Sequence, residues 1–208
     1  MFYDTITDIS MNAHGIHFRP PEYVIRIKQY YKTEEEFNRF YLKLKFSSCP
    51  YCHVSGYLIL HGYLYGYSEQ SDFEKIRRGR RIFCSNRNRK SGCGKTYSIL
   101  IAGFIKNFMI TAVTVWSFLD QWMRGMSLSE AFRRSGSKMA QSCVYRIFNR
   151  FKKSQSHIRT LLKRIKDPPH MPYTKDPTVL TLFHLRAVFN KSICPISSFQ
   201  HYFQVSFL

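Results

Sequence analysis

The sequence has 208 residues, 44% of them hydrophobic, which is enough apolar material for one compact domain or two small modules and excludes a disordered chain. The 32 Lys and Arg residues outnumber the 13 Asp and Glu residues and give a net charge of +19, against roughly 2–8 for a typical small domain. A charge excess of this size repels itself unless a polyanion neutralises it, so we expect DNA, RNA or anionic lipid as the partner.

The amino-terminal residues lack the basic segment and apolar run of a secretory signal, so we expect a cytoplasmic protein. Its six cysteines would then be reduced, which favours metal binding or core packing over disulfides. Residues 98–119 are largely apolar and about long enough to span a bilayer. Lys106 and Asn107 at their centre argue against a membrane span, because charge is costly there.

Residues 1–45 are predicted to form a helical extension. A Pro-Pro pair at 20–21 indicates a helix start, and apolar residues recur at helical spacing over 23–31. Thr33 followed by Glu36 is the pattern of a capping box at the start of a second helix. We expect this extension to pack on the module that follows.

Residues 46–105 are predicted to fold as a three-stranded antiparallel zinc ribbon. Glycines separate short runs of Tyr, Leu and Ile, a composition that favours short strands. We expect a hairpin of strands 57–61 and 63–67 around the glycine between them and a third strand at 96–101, while residues 80–83 lead into Cys84.

Four cysteines of this ribbon are predicted to bind one structural metal ion, namely Cys49, Cys52, Cys84 and Cys93. The first two form a CxxC knuckle, whose tight turn directs both thiolates to one point. The second two have eight residues between them, but CGKTY at Cys93 has the form of a knuckle followed by a strand. Four thiolates favour tetrahedral Zn²⁺, with iron as the competing metal and His53 or His61 as alternative ligands.

A first cationic surface is predicted between Lys75 and Lys95, where nine Lys or Arg residues occur without one acid. Guanidinium groups bind phosphate well because their planar fork donates two parallel hydrogen bonds. The predicted nucleic-acid contacts are Arg77, Arg78, Arg80, Arg81, Arg87, Arg89, Lys90 and Lys95. Asn86 and Asn88 add groups that can bind phosphate or base edges.

Residues 106–166 are predicted to form a helix-turn-helix, with a plain helical bundle as the alternative. An apolar helix at 108–122 is followed by a short helix capped by Ser127, a turn at Gly136 and a helix at 138–153. The exposed face of the last helix would suit a DNA groove through Lys138, Gln141, Tyr145, Arg146, Asn149 and Arg150. Prolines after residue 166 end this helix, and 167–208 are predicted to be a linker with a short helical tail.

The CPYC knuckle, the LILHGYLYGY stretch and the RGRRIFCSNRNRKSGCGKTY segment resemble the zinc ribbons of bacterial insertion-sequence transposases and their DNA-binding accessory proteins. They also resemble a group of small bacterial zinc-ribbon proteins with the same CSNR…CG knuckle. The resemblance covers about residues 46–150 and implies a helix-turn-helix after the ribbon and binding to transposon-end or promoter DNA. Too little chain follows for an acidic nuclease domain, and the later acids are scattered, so we do not expect catalysis.

Together these features predict a sequence-preferring protein of the nucleoid that binds double-stranded DNA in transposition or transcription. A transposase or a second copy of the chain is the expected protein partner, and no small-molecule substrate is indicated. Two alternatives stay open. An RNA-binding ribbon would stack bases on Tyr57, Tyr63, Tyr65 and Tyr67. A protein-interaction adaptor would use the aromatic tail residues Phe199, Tyr202, Phe203 and Phe207.

Overall fold

The structure is a computed structural model that describes residues 27–44, 46–70, 74–88, 91–170 and 174–208. Within these residues the fold is mixed α+β, with one four-stranded sheet and six helices. In chain order the elements are β1 (Tyr30–Tyr31), α1 (Glu34–Leu44), β2 (Leu58–Tyr67), β3 (Lys75–Cys84), β4 (Thr96–Ile101), α2 (Ala112–Met123), α3 (Leu128–Arg134), α4 (Ser142–Lys163), α5 (Pro177–Val188) and α6 (Pro195–Phe203).

The sheet has the strand order β1-β4-β3-β2, in which β1 is parallel to β4 and the other pairs are antiparallel. The sequence predicts three antiparallel strands, and the sheet has a fourth strand, β1, which is parallel to its neighbour. The predicted hairpin within residues 57–67 is wrong, because β2 runs through Gly62 without turning. Gly62 has a φ of 111° and forms a bulge where the pairing with β3 shifts by one residue, so it bends the strand and does not reverse it.

Strand β1 lies where the sequence predicts a helix. Tyr30 and Tyr31 are buried, and the amide of Ala102 donates to the Tyr31 carbonyl over 2.8 Å. The helical prediction for residues 1–45 is wrong at these two tyrosines, since pairing with the open edge of β4 outweighs a weak helical spacing. Residues 1–26, which include the predicted helix start, lie outside the described residues.

Helix α1 confirms the predicted start at Thr33. The amide of Glu36 donates to the Thr33 hydroxyl over 3.2 Å, and the Glu36 carboxylate accepts from the amide of Lys32 over 2.8 Å. The helix buries one apolar face against the sheet, formed by Phe37, Phe40 and Leu44. Helix and sheet thus share a small apolar core.

Helices α2, α3 and α4 occur in the predicted order and share an aromatic core. Thr111 caps α2, and Ser127 caps α3 as predicted. The ring of Phe118 in α2 lies 5.5 Å from Phe132 of α3 and 6.4 Å from Phe148 of α4. In the described part of the chain, no helix is both long enough and apolar enough to cross a bilayer.

The predicted helical tail is part of this core. Helices α5 and α6 bury Leu185 and Phe199 in it, and the ring of Phe207 stacks 5.5 Å from Phe151 of α4. The adaptor hypothesis therefore loses two of its four aromatic residues, because Phe199 and Phe207 are fully buried, while Tyr202 is exposed.

Two glutamines at the end of the chain join the helical core to the sheet. Gln200 is completely buried, and its Nε2 donates to the carbonyls of Ala102 and Phe104 over 2.9 and 3.0 Å. Its Oε1 accepts from the Phe207 amide over 3.2 Å. Gln204 accepts hydrogen bonds from two consecutive backbone amides at β1. The sheet and the helices are therefore connected through side-chain amides.

We expect Gln200→Leu to lower the free energy of unfolding by about 2–4 kcal/mol, because it removes the partner of two buried backbone groups and one part-buried group. The matched control is Gln155→Leu, which removes a buried glutamine for which the described residues provide one hydrogen bond, to Thr178. Its cost should be about 1 kcal/mol. Urea unfolding measures both, and equal costs would contradict the special role of Gln200.

Glu36 makes a second connection, between α1 and α6. Its carboxylate pairs with Nζ of Lys28 over 2.9 Å and with Nε2 of His201 in α6 over 2.7 Å, besides the amide of Lys32. Burial raises the pKa of this carboxyl, but the three partners outweigh burial and lower the pKa of Glu36 to about 2.

A carboxyl whose pKa is lowered on folding stabilises the protein above its unfolded pKa and loses this effect as the pH falls toward its folded pKa. For Glu36 that window runs from pH 4.5 down to about 2. We expect Glu36→Gln to lower stability by about 1–2 kcal/mol at neutral pH and much less near pH 3. Thermal unfolding of both proteins at each pH tests this, with exposed Glu74→Gln as control. A pH-independent difference would contradict the prediction.

Candidate metal centre and basic surfaces

The four predicted cysteine ligands lie together at one end of the sheet. Cys49 and Cys52 come from the turn before β2, Cys84 ends β3, and Cys93 precedes β4. Their Sγ atoms all lie within 4.8 Å of one another. All four thiols are free, so the cluster is not a pair of disulfides.

The first knuckle is closed by backbone hydrogen bonds around Cys49. Its amide donates to the Val54 carbonyl over 3.0 Å, and its carbonyl accepts from the His53 amide over 2.8 Å. His53 has a φ of 57°, a left-handed conformation that lets the chain turn back toward β2. The amide of Tyr51 faces the Cys49 Sγ at 3.4 Å, so the turn also supplies a donor to the sulfur.

The second knuckle keeps its shape despite the eight-residue insertion. The amide of Gly92 donates to the Ser85 carbonyl over 3.2 Å, which closes the inserted loop at its base. The amide of Gly94, a residue with φ of 72°, donates to the Cys84 carbonyl over 3.0 Å. The amide of Cys93 lies 3.4 Å from the Cys84 Sγ. The insertion therefore leaves the two sulfurs close together, as predicted.

The sulfur positions are close enough to hold one ion, and two of the six sulfur–sulfur distances match a tetrahedral site. A metal–sulfur distance of about 2.3 Å places the sulfurs of a regular tetrahedron about 3.8 Å apart. The Sγ atoms of Cys49 and Cys93 are 3.7 Å apart, as are those of Cys52 and Cys84. Four protein ligands leave no position for a substrate, so this arrangement suits a structural metal.

Tyr97 of β4 is a member of the centre that the sequence analysis missed. Its hydroxyl lies 2.6 Å from the Cys49 Sγ, and its ring stacks 5.2 Å from that of Tyr51. Burial and the neighbouring thiolate raise the pKa of Tyr97, so the phenol stays protonated and donates to the sulfur. The sequence feature that could have indicated Tyr97 is its position four residues after Cys93, on the strand that follows the knuckle.

The thiols differ in acidity before a metal binds. Burial raises the pKa of Cys49, but the Tyr97 hydroxyl and nearby backbone amides outweigh it and bring the pKa to about 6. Burial raises the pKa of Cys84 to about 12. A bound cation would stabilise all four thiolates and release the remaining protons.

The alternative histidine ligands are outside the cluster. The described metal-binding group contains cysteines alone, and the ring of His61 packs 5.2 Å from Phe83. His53 serves the turn of the first knuckle through its backbone. The alternative of a histidine in place of one cysteine therefore finds no support in this cluster.

None of the protein-family models, characterised proteins or solved structures compared with this chain matches it. The resemblance to insertion-sequence zinc ribbons therefore stays a hypothesis. The role of the centre is inferred from its own geometry and from the exposed side chains of the strands that carry it.

Arg78 and Arg80 make intramolecular contacts, although the sequence analysis assigns them to nucleic acid. Arg78 donates to the backbone carbonyls of Phe108 and Met109, the second over 2.7 Å. Arg80 is buried and pairs with Glu34 of α1. Both arginines hold the sheet to its neighbouring elements, so we correct the prediction and remove them from the nucleic-acid surface.

A bulge in β3 explains why Arg78 and Arg80 contact the protein itself. The pairing between β2 and β3 passes from Gly79 to Arg77 and skips Arg78, which changes the direction of the side chains beyond it. The side chain of Arg78 crosses over Gly66, where a Cβ atom would collide with it. A simple alternation of inward and outward residues does not predict on which side of the sheet each arginine of β3 lies.

The other predicted cations of the ribbon differ in exposure. Arg77 is half-buried and pairs with Glu34 over 2.9 Å. Arg81, Arg87 and Lys95 are exposed. Arg89 and Lys90 lie outside the described residues.

On the helical side four of the predicted residues lie on α4, while Lys138 and Gln141 lie just before its first residue, Ser142. All six are exposed, namely Lys138, Gln141, Tyr145, Arg146, Asn149 and Arg150. Lys153 is exposed as well and lies three residues after Arg150 on the same helix, so it extends this surface. The sequence analysis omitted it because the predicted helix ended there.

We expect the purified protein to contain about one metal ion per chain, because four thiolates complete one tetrahedral shell. Cys52→Ser should reduce bound metal well below this ratio and destabilise the sheet, since metal binding contributes to folding. The matched control is Cys143→Ser, a partly exposed thiol outside the cluster. Elemental mass spectrometry measures the metal and its identity. Equal metal contents in both variants would contradict the assignment.

Proposed function

We propose that the protein binds double-stranded DNA through α4 and that its cysteine cluster is a structural zinc site. The observation that carries the proposal is the exposed face of α4, which presents cations and hydrogen-bonding side chains without an acid. Zinc is the metal we favour, because closed sites of four cysteines are typical of zinc ribbons.

The α4 face lies opposite the side of the helix that enters the core. At 100° per residue, Tyr145, Asn149 and Lys153 lie within one exposed sector, with Arg146 and Arg150 along its side. The core side of the same helix carries Val144, Ile147, Phe148 and Phe151. Asparagine and arginine can read base edges, and arginine and lysine neutralise phosphates.

The helix order supports a helix-turn-helix interpretation. Helices α2 and α3 pack on the aromatic core, and α4 follows them as the second helix of the motif would. The connection from α3 to α4 is longer than the 3–4 residues typical of the motif, since α3 ends at Arg134 and α4 begins at Ser142. The interpretation therefore depends on α4 more than on the turn.

The metal centre gives the proposal a second contact area. Arg81 and Arg87 are exposed on β3 and its following loop, and the Lys95 ammonium lies 4.1 Å from the centroid of the Tyr51 ring. A zinc ion that fixes both knuckles would hold these cations in place and perform no chemistry. Because of the sequence resemblance, transposon ends and promoter DNA are the first targets to examine.

We expect Arg150→Ala to weaken duplex binding about 5-fold or more and to reduce the slope of log affinity against log salt concentration by about 1, because one phosphate contact is lost. The control is Arg159→Ala, which removes the same charge from an exposed site of the same helix. Nine residues separate the two positions, so they lie about 180° apart around the helix.

Fluorescence anisotropy with a labelled duplex at several salt concentrations measures both variants. Equal losses in both would mean that total charge, and not the α4 face, determines affinity. A flat salt slope for the native protein would refute DNA binding. Preference for single-stranded RNA over duplex DNA in competition would favour the RNA-binding hypothesis.

A further inference from the structure

A row of exposed tyrosines lies on β2, outside the site described above. Tyr63, Tyr65 and Tyr67 are 41%, 58% and 46% exposed. Alternate residues of a strand lie on one side, so the three rings share one side of the sheet. We call these three residues the tyrosine strip. Tyrosine is common on strands, so its exposure alone does not indicate a binding site. The residues beside the tyrosine strip determine what it can bind.

The neighbouring strand places a cation opposite each tyrosine. Tyr63 pairs with Arg80, Tyr65 with Arg77 and Tyr67 with Lys75, and residues paired in this way lie on the same side. Arg80 is buried and paired with Glu34, so the cations that a ligand can reach are Arg77 and Lys75. The guanidinium of Arg77 lies 5.1 Å from the centroid of the Tyr63 ring. The only carboxylate that the described residues place against these arginines is Glu34, one acid against two guanidinium groups. Aromatic rings interleaved with cations form a surface that complements nucleic acid.

Strands β2 and β3, which carry the strip, contact helices at both ends. Helix α1 covers the metal-proximal part of the sheet, where Phe37 lies 5.2 Å from the Arg80 guanidinium. At the far end, the carboxylate of buried Glu69 accepts a hydrogen bond from the Thr114 hydroxyl of α2 over 2.6 Å. The exposed rings therefore sit on a fixed support, which lowers the entropy cost of binding.

The spacing of the rings excludes stacking on an intact duplex. Alternate residues of a strand are about 6.8 Å apart. Bases of one duplex strand follow each other at about 3.4 Å, so bases that occupy successive tyrosines must be separated from one another. An extended, unpaired strand meets this condition, and Tyr65 with the largest exposure offers the most accessible ring.

The far end of the strip lies beside the start of the helical surface. Nε2 of Gln70, which follows β2 closely, is 3.5 Å from the carbonyl of Gly136 in the connection between α3 and α4. Exposed Lys138 lies two residues further along this connection. A strand that leaves a duplex held by α4 would therefore meet cations on the way to the tyrosines.

We propose that the tyrosine strip binds an unpaired DNA strand that adjoins the duplex bound by α4, so that the preferred substrate is a duplex with a single-stranded overhang. The adjoining duplex rests on the proposed function, whereas the stacking of an unpaired strand on the strip does not. Bases stack on Tyr65 and Tyr67, and Lys75 and Arg77 contact the phosphates.

The test compares four labelled probes: a blunt duplex, the same duplex with an oligo-dT overhang, oligo-dT alone and oligo-rU alone, with single-stranded parts of about 15 nucleotides. Anisotropy is measured for the metal-loaded full chain. We expect Tyr65→Ala to weaken oligo-dT binding about 5- to 100-fold and to remove the advantage of the overhang, while blunt-duplex affinity changes less than about 2-fold.

Three further variants sharpen the result. Tyr65→Phe keeps the ring and should bind oligo-dT like the native protein. Tyr67→Ala should reproduce the loss on a neighbouring position. Tyr202→Ala removes an exposed tyrosine of α6, away from the strip, and should have no effect.

Unchanged oligo-dT affinity in Tyr65→Ala, or equal losses in the Ala and Phe variants, would overturn the proposal. Tyr65-dependent binding of oligo-rU without binding of oligo-dT would overturn it in favour of RNA. Tyr65-dependent binding of oligo-dT without blunt-duplex binding would refute the proposed function of α4 and the adjoining duplex, and would support the strip as a single-strand site.

Discussion

The convergence of four thiols is the constraint on which the sheet depends. In the described residues the core between α1 and the sheet consists of nine buried residues, and two of them are the candidate ligands Cys49 and Cys84. A core of this size gives little stability by itself, and small modules commonly use a metal to compensate. The end of β3 and the starts of β2 and β4 meet at this point, so the cluster fixes where the exposed side chains of these strands are presented.

The two parts of the molecule are joined by polar side chains at their boundary. Gln200 binds the backbone after β4, Arg78 binds the backbone before α2, and Glu69 binds Thr114 within α2. Each of these groups is buried or half-buried, so each contact has a defined geometry and an orphaned partner would be costly. The hairpin and the helices are thereby held in a fixed relation, and a ligand could contact both surfaces at once.

Local patterns in the sequence predicted the parts of the structure that local chemistry determines. The CxxC spacing, the cap at Ser127 and the start at Thr33 depend on residues a few positions apart, and the structure has all three. Strand β1 could not be predicted in this way, because two tyrosines become a strand only through the distant edge of β4.

The two bulges of the β2–β3 pair were equally hidden. Gly62 is typical of a turn in the sequence, and its role as a bulge depends on the partner strand. The bulge at Arg78 determines which arginines face inward, and a shift of one residue reverses the side of the sheet. The candidate cations could therefore be found from the sequence. Which of them are structural and which are exposed depends on the register between β2 and β3, which the sequence does not give.

The burial of Phe207 against Phe151 has a consequence for the synthesis of the protein. Chains grow from the amino terminus, so α4 leaves the ribosome long before the residues that close its core. Until Phe207 has emerged, the part of α4 around Phe151 lacks one of its aromatic partners, although α2 already packs on Phe148. The cysteine cluster lies earlier in the sequence and can take up its metal during this interval. We therefore expect the sheet to mature during translation and the helical core to close afterwards.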